Sequence, residues 1–275
     1  MRYRQFAAPP NLAQWVECVW VLRGALAPEG QTILPDGRME LVFHFGTPPA
    51  TTAGPQPGAL VAGQMVTALH LTPRGDIPRV EMDALGVRLQ PAAGACLLRP
   101  ALLTGTLHSM DSVLGPWARR AREQVGNERG EANRAAIMFA CLRRLLDGKS
   151  EPDAAIANSV QRIERAAGCG DVDGFMPPGL QTRQWQRRFV TSTGLSPKAF
   201  ARIARLQKLV ALYESGRWRR WVDLALESGF YDQAHLAHDF RLFSGQSPAA
   251  FFRQGRGIEE FYRDGFLQDR LAPNR

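Results

Sequence analysis

The segment from Glu227 to Phe252, ESGFYDQAHLAHDFRLFSGQSPAAFF, predicts a helix-turn-helix. Its Gly229 follows a short apolar helix and supplies the turn, and Asp232 is suited to cap the next helix. A Gly-x-Ser-Pro sequence at 245–248 then starts a further helix, because Ser favours the cap position and Pro the first helical position. A helix, a glycine-containing turn and a second short helix form a unit that can place its second helix in a DNA major groove.

The helix after this turn has an apolar face and a polar face. Leu236 and Phe240 are four residues apart and are expected to face the core. The outward side chains are then Gln233, Ala234, His235, His238 and Arg241.

The same construction occurs earlier, between Gly179 and Phe200. Its inward pair is Trp185 and Phe189, and its outward side chains are Arg183, Gln184, Gln186, Arg187 and Arg188. Arg and Gln are suited to bidentate contacts with guanine and adenine edges. A long helix over 196–216 is expected to join the two copies.

These two copies resemble the paired helix-turn-helix motifs of the AraC/XylS family of bacterial transcription regulators. The second motif is LALESGFYDQAHLAHDFRLFSGQSPAAFF, and the first, with its linker helix, is LQTRQWQRRFVTSTGLSPKAFARIARLQ. The resemblance covers roughly Ile156–Arg253, and the two motifs occur in the family's order. It implies that the recognition helices enter two successive major grooves about 34 Å apart.

The resemblance also assigns roles by position. Base-reading positions are matched by Arg183, Gln186 and Arg187 in the first helix and by Ala234, His235 and His238 in the second. Gln233 and Arg241 match phosphate contacts.

Two positions depart from the family pattern. His238 occupies a position where the family usually has Arg, and the first support helix contains Gly174, Pro177 and Pro178. Because proline disrupts a helix interior, this support helix is expected to be short or irregular.

The charge distribution is consistent with a polyanionic partner. From Met176 onward the chain has 16 Lys and Arg against 9 Asp and Glu, whereas the rest has 18 against 17. Phosphate neutralisation supplies most nonspecific nucleic-acid affinity, although many small soluble domains are basic for no such reason. The expected partner is double-stranded promoter or operator DNA. RNA polymerase, a small-molecule effector and a second copy of the chain are further candidates, and neither a cofactor nor a membrane partner is expected.

The N-terminal part predicts a strand-rich domain. In TILPDGRMELVFHFG a Pro-Asp-Gly turn precedes an alternating segment, with Leu41 and Phe43 on one face and Glu40 and His44 on the other. Glu40 and His44 are candidates for an effector pocket; a solvent-exposed face or a satisfied buried pair are the alternatives. Segments of this region also resemble an N-terminal domain found on one AraC-type subgroup.

The predicted fold class is therefore α+β with two domains. Residues 1–150 form a barrel-like or sandwich-like effector-binding or oligomerisation domain with trailing helices. Residues 151–255 form an all-α double helix-turn-helix domain, and 256–275 form a tail. In the trailing helices, Met138, Cys141, Leu142 and Leu145 recur at helical spacing, which is typical of internal packing or of a dimerisation face.

Other classes of function have weaker support in the sequence. The chain contains no Gly-x-Ser-x-Gly elbow, phosphate-binding glycine loop, His-Glu-x-x-His or dinucleotide fingerprint. Asp36, Glu40 and His44 are an acid/base set of only generic spacing, and the His235–His238 pair has no third metal ligand nearby. An AraC-like fold acting only through protein partners remains an alternative.

The sequence predicts a cytoplasmic protein. It has neither the apolar region of a signal peptide nor a run of about 18 apolar residues, and its four cysteines are scattered along the chain.

Overall fold

The computed structural model of the chain describes residues 1–51, 54–55, 59–62, 65–73 and 80–253. The tail predicted at 256–275 lies outside these residues, as do parts of the predicted loop at 48–58. The described part has the predicted α+β organisation, strand-rich at first and helical afterwards. Across these ranges no helix combines the length and the apolar character needed to traverse a lipid bilayer.

Within the described residues, ten strands form two antiparallel sheets. The strands are β1 (Arg2–Ala7), β2 (Val16–Ala25), β3 (Gln31–Ile33), β4 (Glu40–His44), β5 (Ala50–Thr51), β6 (Gly54–Pro55), β7 (Ala59–Ala62), β8 (Leu69–Thr72), β9 (Glu81–Leu89) and β10 (Leu107–Ser109). Six of them pair in the order β1-β2-β9-β4-β7-β10, and the other four in the order β3-β8-β5-β6. Both sheets are open, so the N-terminal half is closer to the predicted sandwich than to a closed barrel.

The six-stranded sheet buries both of its faces. Leu41 and Phe43 pack in one apolar cluster with helical residues that follow the strands. Val42 packs in a second cluster on the opposite face, together with Trp20 and with Leu71 of the smaller sheet. The larger sheet therefore lies between a helical layer and the smaller sheet.

The segment after β9 contains short helical turns, followed by two longer helices. A 3-10 turn at Pro91–Ala93 precedes α1 (Gly94–Leu97), α2 (Pro100–Leu103), α3 (Met110–Leu114), α4 (Pro116–Gly126) and α5 (Glu131–Leu146). The stripe at Met138, Cys141 and Leu142 is buried in the cluster that covers the larger sheet. Internal packing therefore accounts for these three residues of the stripe, because their side chains are covered by the same chain.

The C-terminal half, as far as Arg253, contains six α-helices. They are α6 (Ala154–Arg165), α7 (Thr182–Thr193), α8 (Pro197–Glu214), α9 (Trp221–Glu227), α10 (Gln233–Ser244) and α11 (Pro248–Arg253). One apolar cluster joins them, and it includes the predicted inward pairs Trp185–Phe189 and Leu236–Phe240. In the support helix α9, Leu224 and Ala225 are buried, but the next residue, Leu226, is 56% exposed. Three consecutive residues of a helix span about 200°, so they cannot all face one core.

The two copies of the repeat end and restart in the same way. Gly194 after α7 and Gly245 after α10 both have left-handed backbone conformations, with φ of 84° and 73°. The Ser196 hydroxyl accepts a hydrogen bond from the Ala199 amide at 3.2 Å, and the Ser247 hydroxyl accepts one from the Ala250 amide at 3.3 Å. Glycine tolerates the left-handed region and serine caps the following helix, so each recognition helix has a fixed C-terminal boundary.

The first support helix is irregular, as its prolines predict. The segment Val172–Phe175 forms a 3-10 turn, and Met176 leaves it in an extended conformation. The turn is held against α6, because Ser159 donates a hydrogen bond to the Phe175 carbonyl and Arg162 donates one to the Gly174 carbonyl. Short-range contacts with α6 thus replace a regular support helix.

The two halves are in direct contact. The Pro-Asp-Gly turn approaches α8 so closely that a Cβ on Gly37, whose φ is 77°, would lie 2.9 Å from the Phe200 ring. The Gln207 side chain donates a hydrogen bond to the Pro35 carbonyl at 2.7 Å. The buried guanidinium of Arg38 forms an ion pair with Glu164 of α6 at 2.8 Å. The turn predicted from the sequence is therefore part of the interface between the halves.

Candidate nucleic-acid interface and ligand cavity

The helix α7 presents most of its predicted polar face to solvent. Trp185 and Phe189 are fully buried, which fixes the orientation of the helix, and four predicted side chains are exposed: Arg183, Gln184, Gln186 and Arg187. Arg188 does not belong to this face. Its guanidinium donates two hydrogen bonds to the Asp153 carboxylate, at 2.8 and 2.7 Å.

Asp153 has two structural roles at this point. Its carboxylate accepts hydrogen bonds from the amides of Ala155 and Ile156 and so caps α6, while Arg188 ties it to α7. Partial burial raises the pKa of Asp153, but the Arg188 hydrogen bonds and the capping amides outweigh this and hold it below its ordinary value. The pair therefore fixes the angle between the first recognition helix and α6.

The helix α10 places four of its five predicted side chains fully outward. Gln233, Ala234, His238 and Arg241 are exposed. The fifth, His235, is 37% exposed and its ring is turned toward its own helix. Its Nδ1 accepts a hydrogen bond from the Tyr231 amide at 3.3 Å, and its ring packs edge-on against Phe230.

The orientation of α10 depends on a buried carboxylate that the sequence did not single out. Asp239 is almost fully buried and accepts two hydrogen bonds from Arg202 of α8, at 3.0 and 2.9 Å. The Arg202 guanidinium also lies 5.4 Å from the centre of the Phe243 ring. Each recognition helix is thus held to a neighbouring helix by one bidentate Arg–Asp pair.

Two further surface features lie beside the recognition helices. Tyr231, in the turn before α10, is 90% exposed, and its only signal in the sequence is its place between the turn and the cap. Next to α7, Asp171 and Asp173 line an open groove together with Arg183 and Arg187. An acidic edge at this point opposes the attraction of phosphate to the arginines.

The N-terminal half contains a cavity of about 110 Å³ between its two sheets. Most of the lining is apolar and includes Leu22, Ile33, Val42, Leu60, Leu71 and Met82. Glu40 and His44, the residues predicted for an effector pocket, both line it.

Glu40 lies within an ionic network on the cavity wall. Its carboxylate accepts hydrogen bonds from Arg88 at 2.9 and 2.7 Å and from the Trp20 indole at 3.2 Å. Burial raises the pKa of the Glu40 carboxyl, an effect that the Arg88 guanidinium opposes. Arg88 also forms an ion pair with Asp36 at 3.0 Å.

Comparisons with known proteins cover both halves. Residues 179–254 match a family described as a helix-turn-helix domain, and residues 4–106 match a domain of unknown function, DUF6597. No curated protein matches the chain.

Solved structures of ToxT from Vibrio cholerae are similar to the chain. One at 1.65 Å resolution is 8% identical, with a TM-score of 0.48 over 85% of this chain and 98% of that chain. A second, from strain O395, is 9% identical, with a TM-score of 0.45 over 87% of this chain and 99% of that chain. A third, described as bound to an unsaturated fatty acid, is 10% identical, with a TM-score of 0.43 over 85% and 94%.

The family match spans the recognition helices, the linker helix and the repeated glycine and Ser-Pro boundaries between them. Residues 179–254 are therefore a DNA-binding helix-turn-helix domain of the AraC type, as the sequence resemblance indicated.

Proposed function

We propose that the chain is a sequence-specific transcription regulator that reads successive major grooves of an operator with α7 and α10. The observation that carries this proposal is the matched presentation of two polar helix faces. Each face lies on a helix whose opposite side is buried through two large apolar residues, Trp185 and Phe189 in α7 or Leu236 and Phe240 in α10. Each helix is followed by a glycine, and each is joined to a neighbouring helix by an Arg–Asp pair. Base contacts are assigned to Arg183, Gln186 and Arg187 on α7, and to Ala234 and His238 on α10.

His235 takes a different role in this proposal from the one that its position in the motif implies. Because its Nδ1 accepts from the Tyr231 amide, the ring shapes the entry to α10, so it acts as a positioning residue. Gln233, Gln184 and Arg241 are exposed near the ends or flanks of the two faces and are assigned to phosphate contacts.

The N-terminal half is proposed to control this binding, with the boundary between the two functions near Ser150. Support comes from its contacts with the helices that carry the DNA-reading faces. Thr104 donates a hydrogen bond to the Gly194 carbonyl after α7, at 2.8 Å, and the Ala68 amide donates one to the Phe243 carbonyl in α10, at 2.6 Å. A change in the N-terminal half can therefore reach both recognition helices.

The test is DNA binding by the full chain, measured by fluorescence anisotropy at several salt concentrations. The duplexes are the region upstream of its own coding sequence and sites selected from a random library. Arg183→Ala/Arg187→Ala is expected to lower specific affinity by about 1–3 kcal/mol per lost base contact. Arg143→Ala/Arg144→Ala is the matched control, since it removes the same charge from an exposed face of α5.

The variants of the second helix separate reading from positioning. His238→Ala is expected to relax discrimination at one base position without changing stability. His235→Ala is expected to lower the affinity for all duplexes equally. It is also expected to lower the free energy of unfolding. Equal losses for the Arg183/Arg187 variant and the Arg143/Arg144 control, or binding that does not distinguish any sequence, would contradict the proposal.

A further inference from the structure

The cavity between the two sheets is the size of one small ring. Its volume of about 110 Å³ is comparable with the roughly 150 Å³ of an engineered protein cavity that binds benzene. Its apolar walls favour an apolar occupant, and the Trp20 and Tyr3 rings, 6.1 Å apart, form part of the lining.

The charges around the cavity disfavour an ionic occupant. Among the described residues, the carboxylates of Glu17, Asp36, Glu40 and Glu164 surround just two guanidiniums, those of Arg38 and Arg88. An anion would be repelled by the surplus of carboxylates, and a cation would compete with guanidiniums that already bind them.

One donor on the wall lacks an acceptor. Arg38 lines the cavity and its side chain is 97% buried, with its Nε bound to Glu17 at 2.6 Å and its Nη2 to Glu164 at 2.8 Å. Its Nη1 is buried and has no hydrogen-bond partner anywhere in the described part of the chain. A buried donor without an acceptor is unfavourable, and an acceptor on an occupant would relieve this.

We propose that the cavity binds an uncharged molecule of about one ring that carries a single hydrogen-bond acceptor, and that this acceptor binds Nη1 of Arg38. The inference rests on the proposed regulatory function, for which it names the class of effector. Arg38 also links the cavity to Glu164 of α6, and Pro35, another lining residue, binds Gln207 of α8. Occupancy therefore alters the contacts that hold the DNA-binding half.

The first experiment is isothermal titration calorimetry of the full chain without DNA. Four probes of similar size are compared: acetophenone, ethylbenzene, benzoate and benzylammonium. Acetophenone is expected to bind about tenfold more tightly than ethylbenzene, because only acetophenone offers Nη1 an acceptor. Benzoate and benzylammonium are expected to bind more weakly than acetophenone. Equal affinities for acetophenone and ethylbenzene, or tighter binding of either ion, would overturn the proposal.

Two variants test the assigned site. Val42→Phe fills the cavity and is expected to abolish binding of every probe. Arg38→Lys removes Nη1 and is expected to lower acetophenone affinity to that of ethylbenzene while leaving ethylbenzene affinity unchanged. Arg23→Lys is the matched control, since Arg23 pairs with Asp83 on the same sheet but does not line the cavity. Retention of the acetophenone preference in Arg38→Lys would assign the acceptor to another donor and refute the inference.

The link to DNA is measured separately, as the change in affinity for a selected duplex at saturating acetophenone. A threefold or larger change is expected for the wild type and none for Val42→Phe. Because calorimetry needs no DNA, the two proposals fail independently. Specific DNA binding with no probe binding refutes this inference alone, and probe binding without specific DNA binding refutes the regulatory function.

Discussion

Breaking the pair between Arg202 and Asp239 is expected to destabilise the second recognition helix more than any exposed ion pair would. The two hydrogen bonds, at 3.0 and 2.9 Å, join a carboxylate that is 6% exposed to a guanidinium that is 32% exposed. Charge-assisted hydrogen bonds contribute about 1.5–3 kcal/mol each, but the partial exposure of Arg202 reduces the total. A coupling free energy of about 2 kcal/mol is therefore expected.

The assay is a double-mutant cycle on the free energy of urea unfolding, with Arg202→Ala, Asp239→Ala and the double variant. Arg202→Ala is expected to be the more damaging single change, at about 3 kcal/mol, because it leaves a nearly buried carboxylate unpaired. Asp239→Ala leaves a guanidinium that water can still reach, so its effect is smaller. Both are also expected to weaken specific DNA binding through the orientation of α10.

The exposed pair between Arg220 and Asp223 is a matched control within the same half. It has the same bidentate chemistry, at 3.0 and 2.8 Å, but lies in solvent at the start of α9. Its coupling is expected to be much smaller than that of Arg202 and Asp239. Equal coupling energies in the two cycles would refute the argument that burial gives the Arg202–Asp239 pair its role.

Three further outcomes are expected. Asp173→Asn should strengthen DNA binding severalfold at low salt and progressively less as salt rises, because it removes a negative charge beside α7. An unchanged affinity at low salt would contradict this. Asp153→Asn should lower the free energy of unfolding at neutral pH, but the values for the variant and the wild type should converge as pH falls below about 3.8. The reason is that the lowered pKa of Asp153 contributes stability only while the carboxylate is ionised. Parallel pH profiles of the two proteins in urea unfolding would contradict this. Gly86→Ala should lower the free energy of unfolding by about 1–3 kcal/mol, because a Cβ at that position would overlap the Trp20 ring. An unchanged unfolding midpoint would instead show that the ring can move aside.

Much of the C-terminal half was predictable because its signals are local. Serine and proline at helix starts, glycine at helix ends and apolar residues four apart are fixed by the geometry of one or two turns. The irregular first support segment followed from the same kind of signal, in Pro177 and Pro178. The Arg–Asp ties were not predictable, because Arg188 and Asp153 are 35 residues apart, and Arg202 and Asp239 are 37 apart. Arg188 was consequently grouped with the exposed arginines.

The cavity was only half predictable, for a related reason. Alternation in β4 correctly placed Glu40 and His44 on the face opposite Leu41 and Phe43. That alternation could not show that a second sheet covers this face, since its strands are two to four residues long and carry little periodic signal. Whether a polar pair lies in solvent, in a salt bridge or in a cavity wall depends on that cover.

The contacts between the halves connect the proposed effector cavity with the two helices proposed to read DNA. The N-terminal half contacts the C-terminal ends of α7 and α10 through Thr104 and Ala68, and it contacts the linker helix α8 through Pro35. The operator fixes the distance between successive major grooves, so both helices must be correctly spaced at the same time. A displacement at any one of these three contacts changes the position of the two helices relative to each other. Such a change lowers the affinity of binding through both grooves more than the affinity of either helix for a single groove. The proposed regulation through spacing requires no contact between an effector and DNA, and it assigns the sensitive element to the segment 35–38, which belongs to the cavity wall and to the interface alike.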